Sequence, residues 1–275
     1  MTETKNLQNR KALNKMFETS PNLKQQRMQK YSTVKNTINK SDASVTKGSR
    51  TNFRKENMKQ LALKIKRYGE LEQHESKIRN TLCIQPNYNA SFGFELLNPI
   101  HGTVDANRLH NALRSNFKIP LVEKSIMNDI IERLAYVNEN EILLSDMVFF
   151  EPSRNDPSYA TYRRNFNQEQ DENDTTWHRL FQEMWKALIN TVKQRRIIQN
   201  EMNDMYPDAI DYMFEQRGIH KNDKFTQDDI ENFMEEQLKS SIESELLRCI
   251  LQTLDRDQDG KVSYQEFCDA LYGAE

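Results

Sequence analysis

Apolar residues recur along this chain at helical spacing, in blocks separated by short polar stretches. In "SIESELLRCILQTL", Leu246, Leu247, Ile250, Leu251 and Leu254 fall on one helical face, and Ser240 with Glu243 has the spacing of a capping box at its start. Phe267 and Leu271 continue a second helix after the polar interval 255–266. Upstream, Ile210, Met213 and Phe214 give one helix a buried side, with Pro207 suited to its first turn, and Ile230 and Phe233 do the same for the next. In "WHRLFQEMWKALINTVKQRRIIQ" a stripe of Trp177, Leu180, Phe181, Met184, Leu188 and Val192 is broadened by Trp185 and Ile189. Such a stripe fits the groove of a neighbouring helical lobe, or a connecting helix packed into the C-terminal lobe, which the spacing favours. Over residues 53–79, Met58, Leu61, Ile65 and Tyr68 share one side, with Lys55, Lys59, Lys64, Lys66 and Arg67 around them. A basic amphipathic helix of this kind suits an internal lobe, an anionic membrane or an acidic protein lattice. Internal docking is the cheapest of the three, because linkage raises effective concentration. The predicted fold is therefore mostly α.

The polar interval between the last two helices carries the clearest chemistry. In "DRDQDGKVSYQE", Asp255, Asp257 and Asp259 alternate, Gly260 follows, and Glu266 comes seven residues after the last aspartate. A calcium ion takes six to eight hard oxygen ligands, and a 12-residue loop supplies them from positions 1, 3, 5, 7, 9 and 12. Those positions hold Asp255, Asp257, Asp259, the Lys261 carbonyl, Ser263 and Glu266, with glycine at the sixth, where the chain turns sharply. Val262, at the eighth, is placed to form a short strand with a neighbouring loop. With its flanking helices this stretch resembles the EF-hand of the calmodulin superfamily, which implies a bound Ca2+ and a partner loop.

Three further stretches have the same outline without the ligands. Phe225, 37 residues before Val262, lies in "GIHKNDKFTQDD", whose ligand positions hold Gly218, His220, Asn222, Lys224, Thr226 and Asp229. Around Gly102 and Val104 they hold Leu97, Pro99, His101, Thr103, Asp105 and Arg108, and Asp105 is placed to cap the following helix. Around Ile142 they hold Ala135, Val137, Glu139, Glu141, Leu143 and Asp146. None has the charge to hold calcium. The expectation is two pairs, Val104 with Ile142 and Phe225 with Val262. The 83 residues between Ile142 and Phe225 then mark an insertion, first a polar loop and then the Trp177 helix. The predicted organisation is a basic extended tail over 1–52, an amphipathic helix and linker over 53–86, and a loop pair lacking calcium ligands over 87–150. A polar loop and linker helix over 151–206 and a pair with one intact loop over 207–275 complete it. The arrangement is similar to four-EF-hand proteins of the calmodulin and centrin type, with a long insertion in place of their short linker.

Charge adds a division that the net of −2 hides. Up to Lys55 there are 13 basic and 3 acidic residues, a net of +10, which leaves 26 basic and 38 acidic, a net of −12, for the remainder. A basic arm on an acidic body is attracted to acidic polymers: nucleic acid, anionic membrane or a microtubule surface. A solvated tail has the same composition. The seven glycines never cluster, so neither a P-loop nor a dinucleotide fingerprint is formed. The five histidines show no HExxH spacing and no serine lies in GxSxG, so no enzyme is expected. Cys83, Cys249 and Cys268 form no CxxC pair and read as reduced thiols. No run approaches the roughly 20 apolar residues needed to span a bilayer, and "MTETKNLQNR" lacks the apolar core of a secretion signal, so a cytosolic location is expected.

Two functional classes remain. One is a calcium-binding structural or adaptor protein of a cytoskeletal assembly; the other is a calcium-responsive regulator whose C-terminal lobe opens onto a target helix. Nucleic acid is a weaker partner class, because no recognition motif accompanies the basic arm. EF-hand proteins with ligand-poor loops and basic tails look like those of ciliary axonemes and other microtubule arrays, so that resemblance implies a cilium or cytoskeletal location and protein partners rather than a small-molecule substrate.

Overall fold

Two short antiparallel strand pairs organise the helices of the computed structural model, which describes residues 47–85, 87–120, 122–135, 140–151, 159, 161–163, 176–206 and 208–273. Pro207, residues 136–139 and nearly all of the polar loop fall outside the described residues, as does the basic tail up to residue 46. The chain divides into Met1–Phe53 and Arg54–Glu275, and both strand pairs lie in the second unit. Its described residues are mostly helical. No described helix is long and apolar enough to cross a membrane.

Helix α1 (Lys47–Cys83) leads to a short α2 (Ala90–Glu95), strand β1 (Thr103–Asp105) and α3 (Ala106–Ser115). Then come α4 (Lys124–Leu134), β2 (Glu141–Leu143) and a 3-10 segment, Leu144–Phe150. Val104 faces Ile142 across β1–β2, as the spacing predicts. Asp105 caps α3, its carboxylate accepting from the Arg108 N–H at 2.9 Å. The second half repeats the scheme with α6 (Ala209–Arg217), β3 (Lys224–Phe225), α7 (Gln227–Leu238), α8 (Ser244–Leu254), β4 (Val262–Ser263) and α9 (Tyr264–Tyr272). Phe225 faces Val262 and Lys224 faces Ser263. The start of α8 differs from the capping box read at Ser240 and Glu243. Ile242 is buried in the core and its N–H bonds Glu235 Oε1 at 3.3 Å, which keeps the chain extended until Ser244.

Between the halves runs α5 (Thr176–Met205), and its destination corrects the expected one. Trp177, Phe181, Met184, Trp185, Leu188, Ile189 and Val192 join the core formed by α2, α3, α4 and the 3-10 segment. Only its last turns, through Ile198 and Met202, enter the core of the C-terminal half. The linker helix thus packs chiefly into the first half. Periodicity identifies a buried face but not the surface that buries it. Edge and tilted ring contacts among Tyr88, Phe150, Trp177, Phe181 and Trp185, with centroids 5.1–6.3 Å apart, build this core. Each such side chain contributes roughly 1.5–3 kcal/mol by leaving water.

The apolar side of α1 docks internally too, on the half of the protein more distant in sequence. Met58, Leu61, Ala62, Ile65 and Tyr68 share a core with Ile210, Phe214, Leu246, Ile250 and Leu271. The Tyr68 hydroxyl donates to the Ala270 carbonyl at 2.6 Å, and Lys64 pairs with Glu201 of α5. The approach is close at Gly69, where an added Cβ would lie 2.4 Å from Ile250 Cγ1 and 3.0 Å from Leu246 Cδ1. Gly69→Ala therefore reverses the usual rule for a helix interior. The propensity gain of about 1 kcal/mol is outweighed by overpacking, and denaturant unfolding should register a net loss of about 1–2 kcal/mol. A stabilised variant would contradict the close crossing.

Candidate metal centre

Helix α8 delivers the acidic loop, and its last turn closes with the Asp255 N–H on the Leu251 carbonyl at 2.7 Å. The loop then folds on its own amides. Asp255 accepts from the N–H groups of Asp259 at 3.1 Å and Gly260 at 2.8 Å, and Asp259 accepts from the Lys261 N–H at 2.9 Å. Asp257 accepts a second bond from the Asp259 N–H at 3.2 Å. This winding requires a left-handed backbone at Gly260, with φ of 84°, as the sequence predicts. It also places Gln258 at φ 58°, which the sequence does not reveal.

As a result, one carboxylate oxygen from each of Asp255, Asp257 and Asp259 falls within 4.8 Å of the others, the one such cluster of three among the described residues. Three clustered carboxylate oxygens form a hard donor set that fits a cation such as Ca2+ or Mg2+. Burial raises the Asp255 carboxyl above its ordinary range, against the Gly260 and Asp259 amides that favour its charged form.

Glu266 lies outside that triad. Its Oε1 accepts from the amides of Arg256 at 2.9 Å and Asp257 at 3.2 Å, and its Oε2 from the Ser263 N–H at 2.8 Å and hydroxyl at 2.7 Å. The Ser263 hydroxyl accepts in turn from the Glu266 N–H at 3.2 Å, a capping box that starts α9. Glu266 thus ties both ends of the loop together. Ser263 lies at that clasp, and Lys261 donates its N–H to Asp259.

The other three loops gather no comparable carboxylates among the described residues. In the first, Arg108 reaches the Ile100 carbonyl at 3.4 Å and closes the loop with a cation. In the second, Asp146 is buried and accepts from the Leu143 N–H at 2.7 Å, which spends it on the backbone. In the third, Lys221 pairs with Asp211, and the hydroxyl and amide of Thr226, the N-cap of α7, donate to the Asp229 carboxylate and hold it below its usual range. The chain matches no family model, no curated protein and no solved structure. The chemistry of the loop therefore rests on its own atoms.

One participant escapes the sequence reading. Lys224, on β3, extends across to the acidic loop, where its ammonium bonds Asp257 Oδ2 at 3.0 Å and also bonds Asp259 Oδ2. Those bonds, to Asp259 and then Asp257, raise the lysine's pKa, and Lys224 in turn lowers that of Asp257. The signal available was register. Once Phe225 faces Val262, the preceding residue faces Ser263 and lies beside the acidic loop. Aligned only as a carbonyl donor of its own loop, it gives no hint of that role.

The thiols stay apart from this chemistry. Cys83 and Cys249 are buried and Cys268 half-buried, all three free of disulfides, and burial pushes Cys249 and Cys268 each up to about 11. Neither is a thiolate nucleophile at neutral pH.

Proposed function

We propose that the chain is a non-enzymatic, calcium-binding structural or adaptor protein of EF-hand type, which holds one Ca2+ through Asp255, Asp257, Asp259, the Lys261 carbonyl, Ser263 and Glu266. Its basic N-terminal segment joins it to an acidic surface of a cytoskeletal assembly, microtubular or ciliary in kind.

The observation that carries the structural reading is the internal filling of both apolar cores. Met58, Leu61 and Ile65 of α1, with Ile198 and Met202 of α5, share the core of the C-terminal half. The Trp177–Val192 stretch of α5 shares that of the first half. A sensor that opens onto a target helix needs such a face to be available when calcium binds. Here the chain supplies its own occupants, and a regulatory cycle would first have to expel α1 from contacts that include the Gly69 crossing. All four loops pack through the β1–β2 and β3–β4 pairs, and among the described residues only the last gathers three carboxylates, which gives a single ion no second site there with which to cooperate. The adaptor part of the proposal rests on charge, +10 up to Lys55 against −12 beyond it.

Hydrogen exchange with and without Ca2+ tests the proposal. Slower exchange over 255–266 with no change over 58–68 is expected, and faster exchange over 58–68 would favour the regulator instead.

A further inference from the structure

We infer that Lys224 is a built-in counter-cation of the Asp257–Asp259 pair and sets how tightly the loop takes a divalent cation. The inference rests on the reading of the loop as a calcium site and adds a residue outside the ligand set.

Its backbone cannot drift from the loop, because Lys224 is paired with Ser263, which is itself clasped by Glu266. Its ammonium lies 3.0 Å from Asp257 Oδ2 and bonds Asp259 Oδ2. The opposite oxygens of the same two carboxylates accept from the Asp259 and Lys261 amides. Each carboxylate is therefore held from two sides by the chain's own donors. Asp255, the third member of the triad, is held differently, by the amides of Asp259 and Gly260.

This arrangement acts in two ways. Asp257 and Asp259 are kept from repelling one another, so the loop is held close to its ligand arrangement before an ion arrives. An incoming dication then meets a positive charge already on two of its carboxylates. It must either displace the ammonium or share the oxygens with it, and both lower its affinity. Two other cations on the neighbouring loop and helix are differently engaged. Lys221 bonds Asp211 and lies 4.4 Å from the centroid of the Tyr264 ring, and Arg217 bonds Glu236.

Calorimetric titration of the full chain with Ca2+, and separately with Tb3+, tests this in wild type, Lys224→Gln, Lys224→Arg and Lys221→Gln. For charges roughly 5 Å apart in a water-like dielectric with salt screening, Lys224→Gln should bind Ca2+ about five- to tenfold more tightly. The repulsion scales with ionic charge, so Tb3+ should gain more, about ten- to thirtyfold. Lys224→Arg should stay near wild type, and Lys221→Gln, which removes the same charge from a different contact, should gain less than about twofold. If wild type binds calcium and Lys224→Gln binds it no better, the lysine's role is refuted while the site stands. If wild type fails to bind and Lys224→Gln binds, the lysine's role is upheld and the native protein is not a calcium binder. If neither binds, both readings fall.

Discussion

Replacing Glu75 with alanine should cost the protein about 3–5 kcal/mol of stability, far more than a typical helical surface substitution. Glu75 is fully buried on α1 and accepts two bonds from the Arg133 guanidinium, at 2.8 and 2.9 Å. Glu72, one turn earlier, bonds Arg133 at 3.1 Å and lies 3.5 Å from Arg79 and 3.9 Å from Arg195. Two carboxylates therefore serve three guanidinium groups drawn from α1, α4 and α5. Arg195 is already the strained member. Burial and then the neighbouring Arg133 lower it to about 10, and its Nε has no hydrogen-bond partner among the described residues. Removing Glu75 leaves Arg133 and Arg195 facing each other with one shared carboxylate, so the loss exceeds that of the pair itself. The pH dependence has a definite sign. Burial acts to raise Glu75, but Arg133 overrides it and holds the group below its ordinary 4.5. A depressed carboxylate contributes stability above its unfolded pKa and loses it as pH falls through the folded value. Urea unfolding of wild type should thus weaken below about pH 4.5, whereas Glu75→Ala should lack that component. A loss below about 1 kcal/mol would show that the ion cluster is not what joins the three helices.

Replacing Glu266 with glutamine should lower calcium affinity by at least about 100-fold, measured by calorimetry on the full chain. Groups that merely orient ligands typically cost 10–100-fold in metal affinity, and on the proposed reading Glu266 both orients and ligates. It holds the Arg256 and Asp257 amides and the Ser263 hydroxyl, so its loss loosens the two ends of the loop as well as removing charge. The amide keeps the size of the side chain and one acceptor, so the α9 cap is weakened rather than abolished. Unchanged affinity would remove Glu266 from the ligand set and leave the three aspartates to account for any binding.

Both strand pairs were legible in the sequence, because a β-branched or aromatic residue stands at the strand position of each loop, two residues after a glycine in the first and the fourth. The clustering of Asp255, Asp257 and Asp259 was legible in their alternation ahead of Gly260. What the sequence withheld depends on tertiary partners. The stripe on α5 announces burial, but its assignment to the first half required knowing that Phe181 fits against Gly93, where an added Cβ would lie 2.8 Å from the ring. The Ser240–Glu243 cap failed because a buried Ile242 outweighed a local hydrogen bond. Glu75 reads as one more solvated acid on a charged helix, and only the crossing of α1 with α4 and α5 places it in the interior. Lys224 is concealed likewise, since its partners lie more than 30 residues away on another loop.

On the proposed reading, one loop takes calcium while the apolar cores stay filled by the chain's own helices. Hydrogen exchange of the full protein, followed by mass spectrometry with and without Ca2+, addresses both parts at once. The account predicts slower exchange over residues 255–266 and no change over 58–68 and 246–254. Unchanged exchange over 255–266 at saturating calcium, or faster exchange over 58–68, would contradict it.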